Sequence, residues 1–160
     1  MIQEVLPIVG LLGIASLFGA TIYESVVMAP NYERDIPSSI ELARQFLRRR
    51  TPANYFRIIS PLTQLLLFGS VIACWGFWDV RWYLIAALGA LVLSDVITFT
   101  FHYPRLTIMF KGPMPEDHQH LRKAARQWAT GNWVRAVLLL VALLVVVRAL
   151  MILGRGRVGI

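Results

Sequence analysis

Four long apolar runs, at about 5–28, 58–78, 82–103 and 131–153, fix most of what this chain can become. Some 20 apolar residues in a helix cover the ~30 Å hydrocarbon core of a bilayer, so each run qualifies as a transmembrane span. In lipid the backbone must satisfy its own polar groups, which leaves helices or a closed barrel. The runs are too long for barrel strands and show no apolar–polar alternation. Only 16% of the residues are charged, against about 25% in soluble domains. The expectation is one all-α transmembrane domain, residues 1–160. It is a four-transmembrane-helix bundle with a short amphipathic interfacial helix in the first loop. Met1-Ile-Gln-Glu4 lacks the basic stretch of a signal peptide, so the first run reads as a retained helix. Cys74, the single cysteine, permits no disulfide within one chain.

The charge distribution orients the bundle. Arg34, Arg44, Arg48, Arg49 and Arg50 lie in the first loop, and Arg105, Lys111, Arg122, Lys123 and Arg126 follow the third span. Arg81, Arg148, Arg155 and Arg157 fall on the other side. The positive-inside rule then makes loops 1 and 3 cytoplasmic, with both termini outside. No nucleic-acid module accompanies the basic loops, so anionic lipid head groups are their expected partner.

Local signals refine this outline. Gly10, Gly13, Ala15, Ser16, Gly19 and Ala20 give the first span a small surface for close helix packing. Ala29-Pro30 is expected to end that helix, with Glu24 about one turn before. Ser38-Ser-Ile-Glu41 fits a capping box. Ile40, Ala43, Phe46 and Leu47 then recur on one face of the interfacial helix, which ends near Thr51-Pro52. Pro61 is expected in the first turn of the second span, where a missing N–H is tolerated. Trp75, Trp78, Trp82 and Tyr83 form an aromatic belt around the turn charges Asp79 and Arg81. Pro104 is expected to close the third helix and open a loop to Met114. The fourth helix then starts near Pro115 and runs to Leu153.

The stretch Leu91–Pro104 carries the chemistry. Asp95, Thr98 and His102 sit at i, i+3 and i+7, one face of a helix, and Tyr103 follows. An ionisable group inside a span costs about 2.5–3.5 kcal/mol or more, so by default it marks a site. On the fourth helix His118, Leu121, Ala125, Trp128, Asn132 and Arg135 share one stripe. Topology brings Glu24, Asp95, Thr98, His102, Tyr103, Trp128, Asn132 and Arg135 into one leaflet on three helices. Buried charges in membranes pair with each other or line a wet cavity. Arg135 is expected to face inward and to bond Glu24 or Asp95, directly or through water. Asp95 has a second reading, as an acid held by a neighbouring helix, and Glu24 as an interfacial carboxylate. A metal held by Glu24, Asp95 and His102 is a further alternative. His118 and His120 point apart on a helix, and a bis-histidine haem lacks its second intramembrane histidine. No nucleotide-binding, CxxC or HExxH motif occurs, so no cofactor and no metal is expected.

Gly19–Pro30 with its acid and closing Ala-Pro, His102-Tyr-Pro104, and above all Trp128, Asn132 and Arg135 in the pattern Trp-x3-Asn-x2-Arg resemble bacterial members of the anthrone oxygenase-like family. Leu106 stands where that family commonly has asparagine. The resemblance implies a small four-helix membrane protein, here of a bacterial inner (plasma) membrane. For some fungal relatives it implies oxidation of anthrones to anthraquinones with no evident cofactor motif.

The functional expectation is a polar intramembrane pocket for a small hydrophobic aromatic or quinone-like ligand, with oxygenase-like chemistry. His102, Glu24, Asp95 and Arg135 take the catalytic roles, and Thr98, Tyr103, Trp128 and Asn132 bind the ligand. His102, helped by an acid, would deprotonate a phenol-like molecule while Arg135 and Asn132 hold the oxyanion. The alternative is a non-enzymatic subunit or scaffold of a larger membrane complex, or a homo-oligomer, built on the small-residue faces.

Overall fold

The first apolar run folds as α1 (Ile2–Tyr23) and does not stop at Pro30. A five-residue π segment, Glu24–Met28, joins it to α2 (Ala29–Glu33), and the whole spans 32 residues. The third run behaves in the same way. Helix α5 (Trp78–Ile97) passes through a π segment, Thr98–His102, into α6 (Tyr103–Phe110), so Pro104 does not end it. Both expected breaks are therefore corrected, and the reason is local. A proline inside an α-helix lacks the N–H for the carbonyl four residues back and crowds it. Here the ladder has already widened: the Ala29 N–H bonds the Glu24 carbonyl and the Tyr103 N–H bonds the Thr98 carbonyl, five residues apart. The prolines follow at the next position, where the strain is already taken up. π segments of this kind occur mostly at functional sites.

This computed structural model describes residues 2–158, with side chains to residue 155. The Arg157 side chain and the terminal residues, counted above in the charge and domain readings, lie outside the described residues. No strand occurs among the described residues, and four helices are long and apolar enough to cross a membrane. Helix α4 (Pro52–Ala73) forms the second span and α7 (His118–Val158) the fourth. Packing runs in a ring: α1 lies against α4 and α7, and α5 lies against α4 and α7. The turn Cys74–Phe77 makes α4 and α5 antiparallel neighbours.

Three smaller expectations change. Helix α3 (Ser38–Phe46) is capped by Pro37 with no side-chain bond, so Ser38-Ser-Ile-Glu41 forms no capping box. Ser39 instead donates to the Tyr32 carbonyl at 2.7 Å. A reciprocal box forms at Thr51, whose N–H bonds Asn54 Oδ1 at 2.9 Å. That box and Pro52 start α4 earlier than the apolar run suggests, which moves Pro61 from the first turn into the helix interior. On α3, Ile40 is fully buried, but Leu42 and Phe46 are exposed, so Phe46 is not on the packed face. Arg44 holds α3 down by donating to the Met109 carbonyl (2.7 Å) and the Gly112 carbonyl (3.0 Å). Arg81 is more than a turn charge: its guanidinium lies 4.5 Å from the Trp75 ring and 4.6 Å from Trp78.

Two apolar clusters hold the bundle. The larger joins Ile14, Leu17, Leu67, Leu84, Leu91 and Leu139 with their neighbours. Gly13 lets α1 approach α4 there, since a Cβ would run into the Thr63 side chain. The smaller cluster, at the end with the basic loops, joins Tyr32, Ile40, Met109, Leu121 and Trp128. Between them lies a layer of buried polar groups.

Candidate functional site

The polar layer takes side chains from all four spans. Glu24 opens the first π segment and is 7% exposed; His102 closes the second and is 1% exposed. Asn132 and Arg135, one turn apart on α7, are 0% and 4% exposed. The inward stripe of α7 is buried from Leu121 to Arg135, while His118 at its start is exposed.

A cavity of about 370 Å³ opens from this layer toward the basic end. Glu24, Thr98, His102, Tyr103, Trp128 and Arg135 lie on its wall. These are six of the eight side chains singled out in the sequence. Asn132 sits behind the wall, and its Oδ1 accepts a bond from Arg135 Nη1 at 3.3 Å. Asp95 is turned away: its Oδ2 accepts from Ser60 Oγ (2.6 Å) and Gln64 Nε2 (2.7 Å) on α4. That is the second reading offered for Asp95, an acid held by a neighbouring helix. Gln64, an amide in an otherwise uncharged span, is the sequence signal for such a partner.

Arg135 faces inward but makes no direct ion pair with Glu24 or Asp95. The expected direct bond is thus replaced by the Asn132 amide and by the Phe56 ring, 4.7 Å from the guanidinium carbon. Asp95 is already claimed by α4. Several buried nitrogens here have no hydrogen-bond partner: both ring nitrogens of His102, Arg135 Nε and Asn132 Nδ2. Leaving such groups unpaired costs roughly 1–3 kcal/mol each, and native proteins keep few of them. Donors and an imidazole gathered without partners beside a cavity suit a ligand that supplies the missing acceptors. Glu24, Asp95 and His102 do not form a metal-ligand set, and no cluster of three ligating side chains occurs among the described residues.

The remaining wall is aromatic. Tyr32, 5% exposed, meets Trp128 at 5.5 Å and Phe110 edge-on at 5.4 Å between ring centroids. Trp128 in turn stands edge-on to His102 at 6.3 Å. Tyr32, Phe56 and Phe110 were not legible as site residues, because Tyr32 and Phe110 lie on helical turns beyond the prolines. The volume falls within the roughly 300–1,000 Å³ typical of small-molecule sites, which are apolar with a few placed polar groups. His102 reaches its place because Gly131 has no side chain: a Cβ there would lie 2.7 Å from His102 Nε2.

A family model described as anthrone oxygenase matches residues 53–145. The matched stretch contains Thr98, His102, Tyr103, Trp128 and Arg135; Glu24 and Tyr32 lie before it. No curated protein and no solved structure matches the chain.

Proposed function

This chain belongs to the anthrone oxygenase family, and on that footing we propose that its cavity binds an anthrone-like tricyclic phenol and oxidises it with dioxygen to the quinone. The observation that carries the reading is the His102 ring, buried, unpaired at both nitrogens and set on the cavity wall with Glu24 and Arg135. Tyr32, Phe56, Phe110 and Trp128 give flat rings a stacking and edge-on surface.

In this reading His102 takes a proton from the acidic methylene opposite the ketone, a general-base step. The charge moves to the ketone oxygen, where Arg135, steadied by Asn132, donates to the growing oxyanion. Glu24 lies on the same wall to balance the imidazolium. Thr98 and Tyr103 supply hydroxyls for the peripheral phenols. The electron-rich anion passes one electron to dioxygen, and the radical pair combines at the same carbon to form a hydroperoxide. Loss of the second methylene proton with hydroxide gives the second ketone. Anthrone and one dioxygen thus become anthraquinone and one water. The protein works within the bilayer, with its basic loops on the cytoplasmic side of a plasma membrane, and a hydrophobic substrate enters from the lipid.

Quinone formation by the purified protein in detergent tests the reading, with spontaneous oxidation subtracted. Wild-type protein should accelerate the reaction, and His102→Ala should lose at least about a hundredfold, the lower range of a general-base contribution. Equal rates for the two would remove His102 from the mechanism.

A further inference from the structure

The cavity has two chemically different ends. Its closed end holds Glu24, His102 and Arg135, all buried. Its open end is bordered by Arg57 and Lys111, both exposed, with the hydroxyls of Thr51 and Thr107. Of the other cations at this end of the bundle, Arg48, Arg49, Arg50, Arg122 and Lys123 do not border the cavity, and four more are engaged. Arg34 faces Asp35, Arg126 faces Glu33, Arg44 holds two backbone carbonyls, and Arg105 bonds Gln127 and the Phe101 carbonyl. The Arg57 and Lys111 side chains make no hydrogen bond and no ion pair among the described residues. Neither belongs to the proton-transfer group. Among the residues that border the cavity the single carboxylate, Glu24, is at the closed end, so the mouth presents positive charge alone.

We propose that the ligand is an aromatic carboxylate, with its rings in the Tyr32–Phe56–Phe110–Trp128 chamber and its carboxylate at the mouth between Arg57 and Lys111. The inference rests on the ring-binding reading given above and narrows it to anionic substrates. Arg57 and Lys111 select the substrate and fix which ring edge faces His102. Both cations are exposed, so their contribution is modest and sensitive to salt.

Equilibrium binding of two probes to the whole protein in neutral maltoside micelles tests this: anthraquinone-2-carboxylate and its neutral isostere, anthraquinone-2-carboxamide. The carboxylate should bind about five- to tenfold more tightly at low ionic strength, and the ratio should shrink toward one at about 0.5 M salt. In Arg57→Gln/Lys111→Gln the ratio should collapse at low salt as well. Equal binding of both probes by the wild type would overturn the anionic selectivity and leave the ring chamber standing. A ratio that survives the double change would also overturn it, by placing the recognition elsewhere. Binding of neither probe would overturn the chamber and the selectivity together. Palmitate binding as tightly as the aromatic acid would overturn the aromatic class.

Discussion

Replacing Gly131 by alanine probes the site without touching a charged group. An ideal Cβ at this position would lie 2.7 Å from His102 Nε2 and 2.9 Å from two carbons of the Phe101 ring. Both neighbours belong to the second π segment, so neither is the loose end of a flexible chain. Inserting a methyl into so tight a contact costs about 1–3 kcal/mol. Alanine returns about 1 kcal/mol through its higher helix propensity. The net expectation is a loss of roughly 0–2 kcal/mol. Gly89→Ala supplies the comparison, because a Cβ there meets nothing within 4 Å. It should keep the propensity gain, so the two variants should differ by about 1–3 kcal/mol whatever the exact propensity in detergent. Thermal unfolding in maltoside measures the difference. The displaced imidazole should also lower quinone formation at least about tenfold, equivalent to ~1.4 kcal/mol in the barrier. Adding Phe101→Ala should recover part of the stability, with a coupling of about 0.5–3 kcal/mol. If Gly131→Ala unfolded with Gly89→Ala and kept full activity, the close seating of His102 on α7 would be refuted.

Arg135→Leu should cost about 1–3 kcal/mol, because it leaves the buried Asn132 Oδ1 without its donor and removes the positive charge that offsets Glu24, and Glu24→Gln in the same chain should restore part of it. The exposed Arg148→Leu should change stability by less than about 0.5 kcal/mol in the same melting experiment; equal losses at the two arginines would count against the buried layer. Asp95→Leu should cost about 3 kcal/mol through two charge-assisted bonds, with clear coupling to Gln64→Leu, whereas Asp95→Asn keeps an acceptor and should lose less. Single cysteines at Asp79 and Glu116 in a Cys74→Ser background test the orientation: an impermeant thiol reagent on intact cells should label the first and spare the second, and the reverse pattern would invert the bundle.

What the sequence made legible, and what it did not, follows from the range of the forces involved. Length and hydropathy fix the four spans because the bilayer requirement acts on each run separately. The stripe Leu121–Arg135 was readable for the same reason: periodicity along one helix decides which side faces in. Pro30 and Pro104 misled because a proline breaks an α-helix only where the ladder keeps four-residue spacing, and the two π segments relax it. No capping box forms at Ser38 because Pro37 already supplies the turn, while Thr51 and Asn54, with the right chemistry three residues apart, form one at the start of α4. Partners across helices were the least readable. Nothing along the third span reveals that Ser60 and Gln64 stand opposite Asp95, or that Phe56 lies over Arg135. Those pairings depend on the relative height and rotation of two helices, which only the packed bundle sets.

The central claim is that the chamber beside His102 holds a flat tricyclic ring. A density map of the protein saturated with anthraquinone addresses it most directly. The expected result is planar density between Trp128 and Phe56, with one carbonyl oxygen in hydrogen-bond reach of Arg135 and the ring edge facing His102. A map with that chamber unchanged and the quinone on the lipid-facing surface, or with no ordered quinone at saturation, would contradict the account.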